Sequence, residues 1–319
     1  MRKNRITPRL LVAAVLVLSP LRHLNAEEGL SPLERELLTQ LYSADERERV
    51  NAAIKLSSYS DTKEVVEALI NAAASDPDQM VARVSLRSLG HMGAEDALEL
   101  ILEKAAEAPL PVMMEAMSAA RNFSDQKVLE MLLEKASDPN SLIRQRAIGY
   151  LWDRDDDRIK LLLLKKLEDP AEGVRLASLK AIDQREETGA SEVLEVALGS
   201  DRSPAVREEA ARALEKYTNR AKALKSALND SDLIVRMTAA RSLAGQGSSS
   251  GLKTAIQEVK SSDARVRVLA VEIIGLVGSV SNRVFLEEAS RDYDRRVQRA
   301  AEAALKEMEK RIKIKEKSK

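Results

Sequence analysis

The sequence predicts an all-α fold, a solenoid of about nine helical hairpins, on three observations. A β-branched aliphatic residue returns at Val50, Val81, Val112, Ile143, Val174, Val206, Val235, Val266 and Val297, with spacings of 31, 31, 31, 31, 32, 29, 31 and 31. Four residues later stands a small side chain in most cases (Ser85, Ala116, Ala147, Ser178, Ala210, Ala239, Ala270, Ala301), and eight residues later a larger apolar one such as Leu89, Leu151, Ile182 or Leu214. Offsets 0, 4 and 8 share one helix face, and the small middle residue admits a neighbouring helix. The third observation is a second amphipathic stretch ahead of each phrase, so each period of about 31 residues holds two helices.

Taken in order, these first helices are visible as Glu64 to Ile70, Ala97 to Leu102, Val128 to Leu133, Lys160 to Leu167 and Val193 to Leu198. Ser31 with Glu34 has the spacing of a capping box, and Ser124-Asp125 and Ser137-Asp138 precede apolar runs as helix starts. The array is expected to open near Ser31 and close near Arg311. Gly and Ser gather between helices, notably in 245–251, and no stretch reads as a linker, so residues 27–319 are expected to form one solenoid.

Residues 1–26 read as a signal peptide. Arg2, Lys3, Arg5 and Arg9 give a basic start, Leu10 to Leu18 a short apolar run, and Leu24-Asn25-Ala26 a cleavage site. The expectation is export, most simply to a periplasm. An uncleaved inner-membrane anchor is the alternative, although the run is shorter than the ~20 residues that span a bilayer.

Composition excludes much. With no cysteine there are no disulfides, thiolate metal sites or cysteine nucleophiles, and the two histidines, His23 and His91, leave little for a metal centre or a Ser-His-Asp system. Removing residues 1–26 takes away five Arg/Lys and no acids, so the charge moves from 0 to −5 (46 minus 51). A mildly acidic chain is a poor nucleic-acid binder. No cofactor, metal or nucleic acid is expected. Membrane contact is expected at most through the basic tail Lys310 to Lys319, read as a frayed helix end. Asp153 to Arg158 reads as helix capping rather than a calcium loop, since it lacks the central Gly and closing Glu. His91 reads as a solvated loop residue.

The recurring phrase is roughly D-P-x-x-x-V-R-x-x-A-x-x-x-L, clearest at Asp138-Pro139…Ile143-Arg144…Ala147…Leu151 and Asp169-Pro170…Val174-Arg175…Ser178…Ile182. It resembles the HEAT repeat, and the short period is similar to the HEAT-like repeats of phycobilisome lyases. The resemblance implies a right-handed, armadillo-like superhelix whose second helices line a concave groove. It also implies a ladder of motif Asp and Arg between neighbouring repeats: Asp138, Arg144, Asp169, Arg175, Asp201, Arg207, Asp230 and Arg236, with Arg267 fitting although its acid, Asp263, is displaced. Asn51, Ala82, Met113 and Gln298 stand where Arg is expected and break the ladder.

On a helical wheel, offsets 2, 5, 6 and 9 point away from offsets 0, 4 and 8. Seven consecutive offset-5 residues are apolar, and the only Trp lies at offset 9 of the fourth repeat. Met114, Met117, Arg121, Ile148, Trp152 and Leu179 are therefore the candidate partner-binding cluster, because Trp, Arg and Met are enriched at interface centres. The functional expectation is an exported, monomeric, non-catalytic scaffold that holds a protein or peptide partner. A structural envelope spacer and a lyase- or glycosylase-like enzyme are the alternatives.

Overall fold

A computed structural model describes residues 29–317, with side chains to Lys313. Residues 1–26, read above as a signal peptide, lie outside the described residues. Those described form eighteen α-helices and no strand. The helices pair as α1 (Pro32–Leu41) with α2 (Glu46–Leu56), α3 (Lys63–Ser75) with α4 (Gln79–Met92), and α5 (Leu98–Glu107) with α6 (Leu110–Ala120). Next come α7 (Gln126–Lys135) and α8 (Ser141–Gly149), α9 (Asp157–Lys166) and α10 (Glu172–Gln184), α11 (Ala190–Ser200) and α12 (Pro204–Ala213). The array continues with α13 (Ala221–Ala227) and α14 (Leu233–Gly245), α15 (Leu252–Glu258) and α16 (Ala264–Val277), then α17 (Arg283–Ala289) and α18 (Arg295–Lys317). The chain divides after Pro139 into two compact units, the first ending with α7 and the second beginning with α8.

Each unit is a run of α-solenoid with the same logic. Second helices of successive pairs (α2, α4, α6 in the first unit; α8, α10, α12, α14, α16, α18 in the second) pack on one another more closely than first helices do. A shorter repeat distance on that side curves each unit with its second helices inward. Two glycines lie where one second helix meets the backbone of the next. A Cβ built on Gly90 would stand 2.6 Å from both Cα and Cβ of Ala119, and one on Gly275 would stand 2.6 Å from Cβ of Ala304.

Helix starts follow the sequence. Ser31 and Glu34 make both halves of the capping box, Ser31 N–H donating to Glu34 Oε2 at 2.7 Å and Glu34 N–H to Ser31 Oγ at 3.2 Å. Asp125 caps α7. At the next start the cap is Asn140, two residues beyond Asp138. Asp156, from the acidic turn, caps α9 by accepting Arg158 N–H at 2.8 Å, and no metal-ligand cluster exists among the described residues. His91 lies in the last turn of α4 rather than in a loop; the helix runs on to Met92 and closes on Gly93 at φ 63°. Only glycine adopts that left-handed conformation cheaply.

The first repeat corrects the ruler. Ile54, expected to face the core, is 51 % exposed, whereas Ala52, Ala53 and Leu56 are buried. The frame is therefore shifted by two, with Glu48 at offset 0, Ala52 at 4, Ala53 at 5 and Leu56 at 8. Glu48 is exposed, unlike the buried β-branched residues at offset 0 of the later repeats. The last helix shows the same end polarity: Arg299, Glu302, Lys306 and Lys310 are exposed.

Candidate functional site

Two ladders of polar side chains frame the second helices. The first consists of bidentate arginine–aspartate rungs. Arg144 Nε and Nη2 donate to Asp169 at 2.9 and 2.7 Å, Arg175 to Asp201 at 2.9 and 2.9 Å, and Arg207 to Asp230 at 2.8 and 2.7 Å. Arg267 donates to Asp292 at 2.8 and 3.0 Å. Each Arg thus pairs with the Asp of the following repeat. Asp263 is the N-cap of α16 and no part of the ladder; the acid for Arg267 is Asp292, one repeat later.

The first unit has a rung as well, which the misplaced ruler concealed: Arg49 donates to Asp76 at 2.8 and 3.0 Å. Arg49 is offset 1 in the corrected frame, so Asn51 does not replace a ladder residue. In the last repeat Gln298, in the arginine position, donates to Asp292 O and keeps half of the arrangement. The rungs are nearly dry, with Arg175 and Arg267 each 4 % exposed. Hydrogen bonds from Arg207 and Arg267 hold the Asp230 and Asp292 carboxyls below the usual carboxylate range, against the opposing effect of burial.

The second ladder caps helix C-termini and left no periodic mark in the sequence. Asn122 donates to Gly90 O at 2.9 Å, Lys216 to Asp183 O at 3.2 Å, and Gln246 to Leu214 O and Glu215 O at 3.1 and 2.9 Å. Arg185 donates to Trp152 O at 3.2 Å and also to Arg154 O; Arg311 does the same for Gly275 O and Gly278 O. Each donor comes from the repeat after the helix it caps. Different residue types do this job at offsets near 10 to 14, which is why no motif betrays it.

Between the ladders lies the inward surface where the candidate cluster was expected, and half of that cluster is core. Met117, Ile148 and Leu179 are 0 % exposed, as are Leu86, Ala211, Ala240 and Val271 of the same offset-5 row. Within each unit a second helix packs on its own first helix and also on a neighbouring second helix, so it is covered on more than one side. Its apolar arc is therefore wider than the stripe of a helix packed on one side, and offset 5 falls inside it. These three residues cannot present a binding surface.

The other three lie at the surface, in different units. In the first unit Met114 is half-buried on α6, and Arg121, the C-cap of that helix, is exposed. In the second unit Trp152 is 39 % exposed, in the turn after α8 rather than in its last helical turn. Helix α8 ends at Gly149, so wheel arithmetic no longer applies at offset 9 there.

The first unit adds residues that sequence reasoning missed. Met80, at the start of α4, is 45 % exposed, and Leu110, at the start of α6, is 39 % exposed. Pro111 is exposed beside it. Beyond this apolar edge, Arg87 forks Glu115 at 2.9 and 2.6 Å, with Arg83 4.0 Å from the same carboxylate. The signal in the sequence was an apolar residue two positions after the capping Asp78, and the motif-free stretch Pro109-Leu110-Pro111.

The second unit's inward surface is instead a mesh of paired charges. Arg212 bonds Glu208 and Glu209 at 2.7 and 2.6 Å, Lys180 lies 3.9 Å from Glu209, and Arg241 bridges Glu215 and Glu272. Arg265 donates to both carboxylate oxygens of Glu208 at 3.0 Å, from α16 to α12 across the intervening α14. Met237 on α14, an offset-2 residue, is fully buried. Such exposed pairs contribute roughly 0–1 kcal/mol each, so they shape the surface more than they stabilise it.

With this geometry in hand, the comparison with known families is decisive for architecture. A profile described as HEAT repeats matches residues 34–120, 160–225 and 221–306, well over half of the chain. The chain belongs to the HEAT-repeat family. Its fold is shared with the Escherichia coli protein YibA, at 18% identity and a TM-score of 0.58, over 84% of this chain and 97% of that one. It is shared too with a chain of the Kap95p–RanGDP structure, at 13% identity and a TM-score of 0.57, over 93% of this chain and 48% of that one. The complex of CpcE and CpcF of phycocyanin lyase from Nostoc also matches, at 19% identity over 79% of this chain and 97% of that one, with a TM-score of 0.44. No curated protein matches the sequence. These identities establish architecture and leave function to the site itself.

Proposed function

We propose that this HEAT-repeat protein is a non-catalytic scaffold that holds a segment of a protein partner on the inward second-helix surface of its first unit. The observation that carries this reading is the apolar edge of Met80, Leu110 and half-buried Met114. Exposed apolar side chains at the starts of two successive second helices offer such a segment something to bury, and methionine adapts to varied partners. The second unit's inward surface, by contrast, already satisfies its own charges. Kap95p, in the structure that shares this fold, is seen with the protein RanGDP, which supports a protein as the partner class.

The test is a pull-down with the full chain beside a Met80→Asp/Leu110→Asp variant and a Trp152→Ala variant, each checked by circular dichroism. A partner retained by wild type and Trp152→Ala but lost by the first variant is the expected result. Loss only with Trp152→Ala would move the site to the second unit. Equal capture by all three would sink the reading.

The same proposal includes export, motivated by the basic and apolar pattern of residues 1–26. Expressed with its own N-terminus in a bacterial host, the chain should appear in the periplasmic fraction and begin at Glu27 by N-terminal sequencing. A cytoplasmic protein that retains residues 1–26 would refute it.

A further inference from the structure

The arginine ladder contains one rung without its carboxylate, and what remains is organised as an acceptor site. In four rungs the arginine is fixed in the same way. Its Nη1 donates to the carbonyl six residues back: Arg49 to Ser43 O at 3.0 Å, Arg175 to Asp169 O at 3.0 Å, Arg207 to Asp201 O at 2.9 Å and Arg267 to Ser261 O at 2.8 Å. The Nε and Nη2 edge is left aimed at the next repeat. The Asp it meets takes a third hydrogen bond on Oδ1 from the N–H two residues on: Asp78, Ser203, Asp232 and Asp294 donate at 2.9, 2.8, 2.8 and 2.8 Å. A filled rung is thus a carboxylate held by three donors.

Arg236 carries the same anchor, with Nη1 donating to Asp230 O at 2.7 Å and Ser231 O at 3.1 Å. The position 25 residues on, occupied by Asp292 for Arg267 at the same separation, holds Ser261. Among the described residues no carboxylate lies within ion-pair distance of Arg236, and the N–H of Asp263, two residues past Ser261, meets no acceptor. The three donors of a rung are all present, on a scaffold that holds them in place, and the acid is missing. The Asp263 carboxylate does not oppose an anion here more than elsewhere, because Asp78, Asp232 and Asp294 occupy the same capping place beside filled rungs.

We propose that this rung accepts the carboxylate of an acidic side chain from a partner protein, which takes the place of the absent Asp. A cleft of about 490 Å³ adjoins the rung at Ser261; its lining also holds Arg291 and the carboxylates of Glu288 and Asp292, which are paired with Lys260 and Arg267. The Arg291 guanidinium has no partner among the described residues, so it favours a second acid next to the first. Bidentate guanidinium–carboxylate pairing is among the strongest charge-assisted arrangements, and a donor set fixed in advance loses little entropy on binding. The site lies in the second unit and stands whether or not the apolar edge of the first unit holds a partner.

The experiment follows arginine Nε–H resonances of the full chain by nuclear magnetic resonance during titration with acetate and with N-acetyl-Asp-Glu-amide, with chloride held constant. Arg236 Nε–H should shift saturably with both, and the dipeptide should bind at least tenfold more tightly. Arg175 and Arg207, in filled rungs, should not respond. Ser261→Asp should abolish the response at Arg236 and raise the melting temperature by about 2–4 °C. Arg236→Gln, shown to be folded by circular dichroism, should remove dipeptide binding. A response at Arg236 no larger than at exposed Arg47, or one that survives Ser261→Asp, overturns the site. Dipeptide binding no tighter than acetate overturns the protein-segment occupant.

Discussion

Gly90→Ala should destabilise the first unit by about 1–3 kcal/mol, the cost of forcing extra carbon into a well-packed core. The sign is the informative part. In an exposed helix interior the same substitution gains up to ~1 kcal/mol, because glycine loses the most backbone entropy on folding. Gly90 lies inside α4, yet its added Cβ would sit 2.6 Å from the Cα and Cβ of Ala119 on the neighbouring second helix. A backbone atom cannot swing aside, so α4 and α6 must separate. Separation also lengthens the Asn122 hydrogen bond to Gly90 O, now 2.9 Å. Gly149→Ala is the control, since nothing lies within 4 Å of its Cβ position. Urea unfolding should show Gly90→Ala less stable than wild type and Gly149→Ala equal or better. If Gly90→Ala stabilised the protein, the close approach of α4 and α6 would not exist in solution.

Asp201→Ala should cost more, about 3–5 kcal/mol, the usual penalty for leaving one partner of a buried pair uncompensated. The Arg175 side chain is 5% exposed and would keep its charge with no carboxylate to meet it. Because each repeat contacts only its neighbours, the loss should be local: amide exchange should accelerate in α10 to α12 and leave the first unit unchanged. A uniform change across the chain would contradict a modular ladder. The double variant Arg175→Met/Asp201→Ala should recover part of the loss, since the ladder's net worth is smaller than the cost of breaking it.

The ladder also sets acid lability. Burial pushes the Asp201 carboxyl up, but hydrogen bonds from Arg175 and from Ser203 N–H outweigh it and hold the group below its usual 3.8. The half-buried Asp294 is held at about 2 by Arg296. A depressed folded-state pKa gives stability that is full above about 4 and is lost as pH falls toward 2. Unfolding midpoints between pH 5 and pH 2 should fall in that window, less steeply for Asp201→Asn. Equal slopes for the two proteins would remove the ladder from the explanation.

The sequence by itself determined the nine helix pairs, the approximate place of several first helices and all but one of the offset-0, 4 and 8 registers, because a helical period and capping chemistry are local and repeat every 31 residues or so; the last helix runs to Lys317, past the expected close near Arg311. It also pointed to four arginines that sit in filled rungs, Arg144, Arg175, Arg207 and Arg267, although not to the partner of Arg267, which is Asp292 rather than Asp263; Arg236 meets no carboxylate among the described residues, and Arg49 was hidden by a two-residue slip of frame. Tertiary structure alone decided which faces remain open. A wheel drawn on one helix cannot know which sides its neighbours cover, so Met117, Ile148 and Leu179 looked available and are core, whereas Met80 and Leu110, which no periodic signal singled out, are exposed. The C-terminal caps supplied by Asn122, Arg185, Lys216, Gln246 and Arg311 were illegible for a related reason. Position in space, fixed by the stacking of one repeat on the next, selects any side chain long enough to donate to a carbonyl, and so leaves no common residue to read.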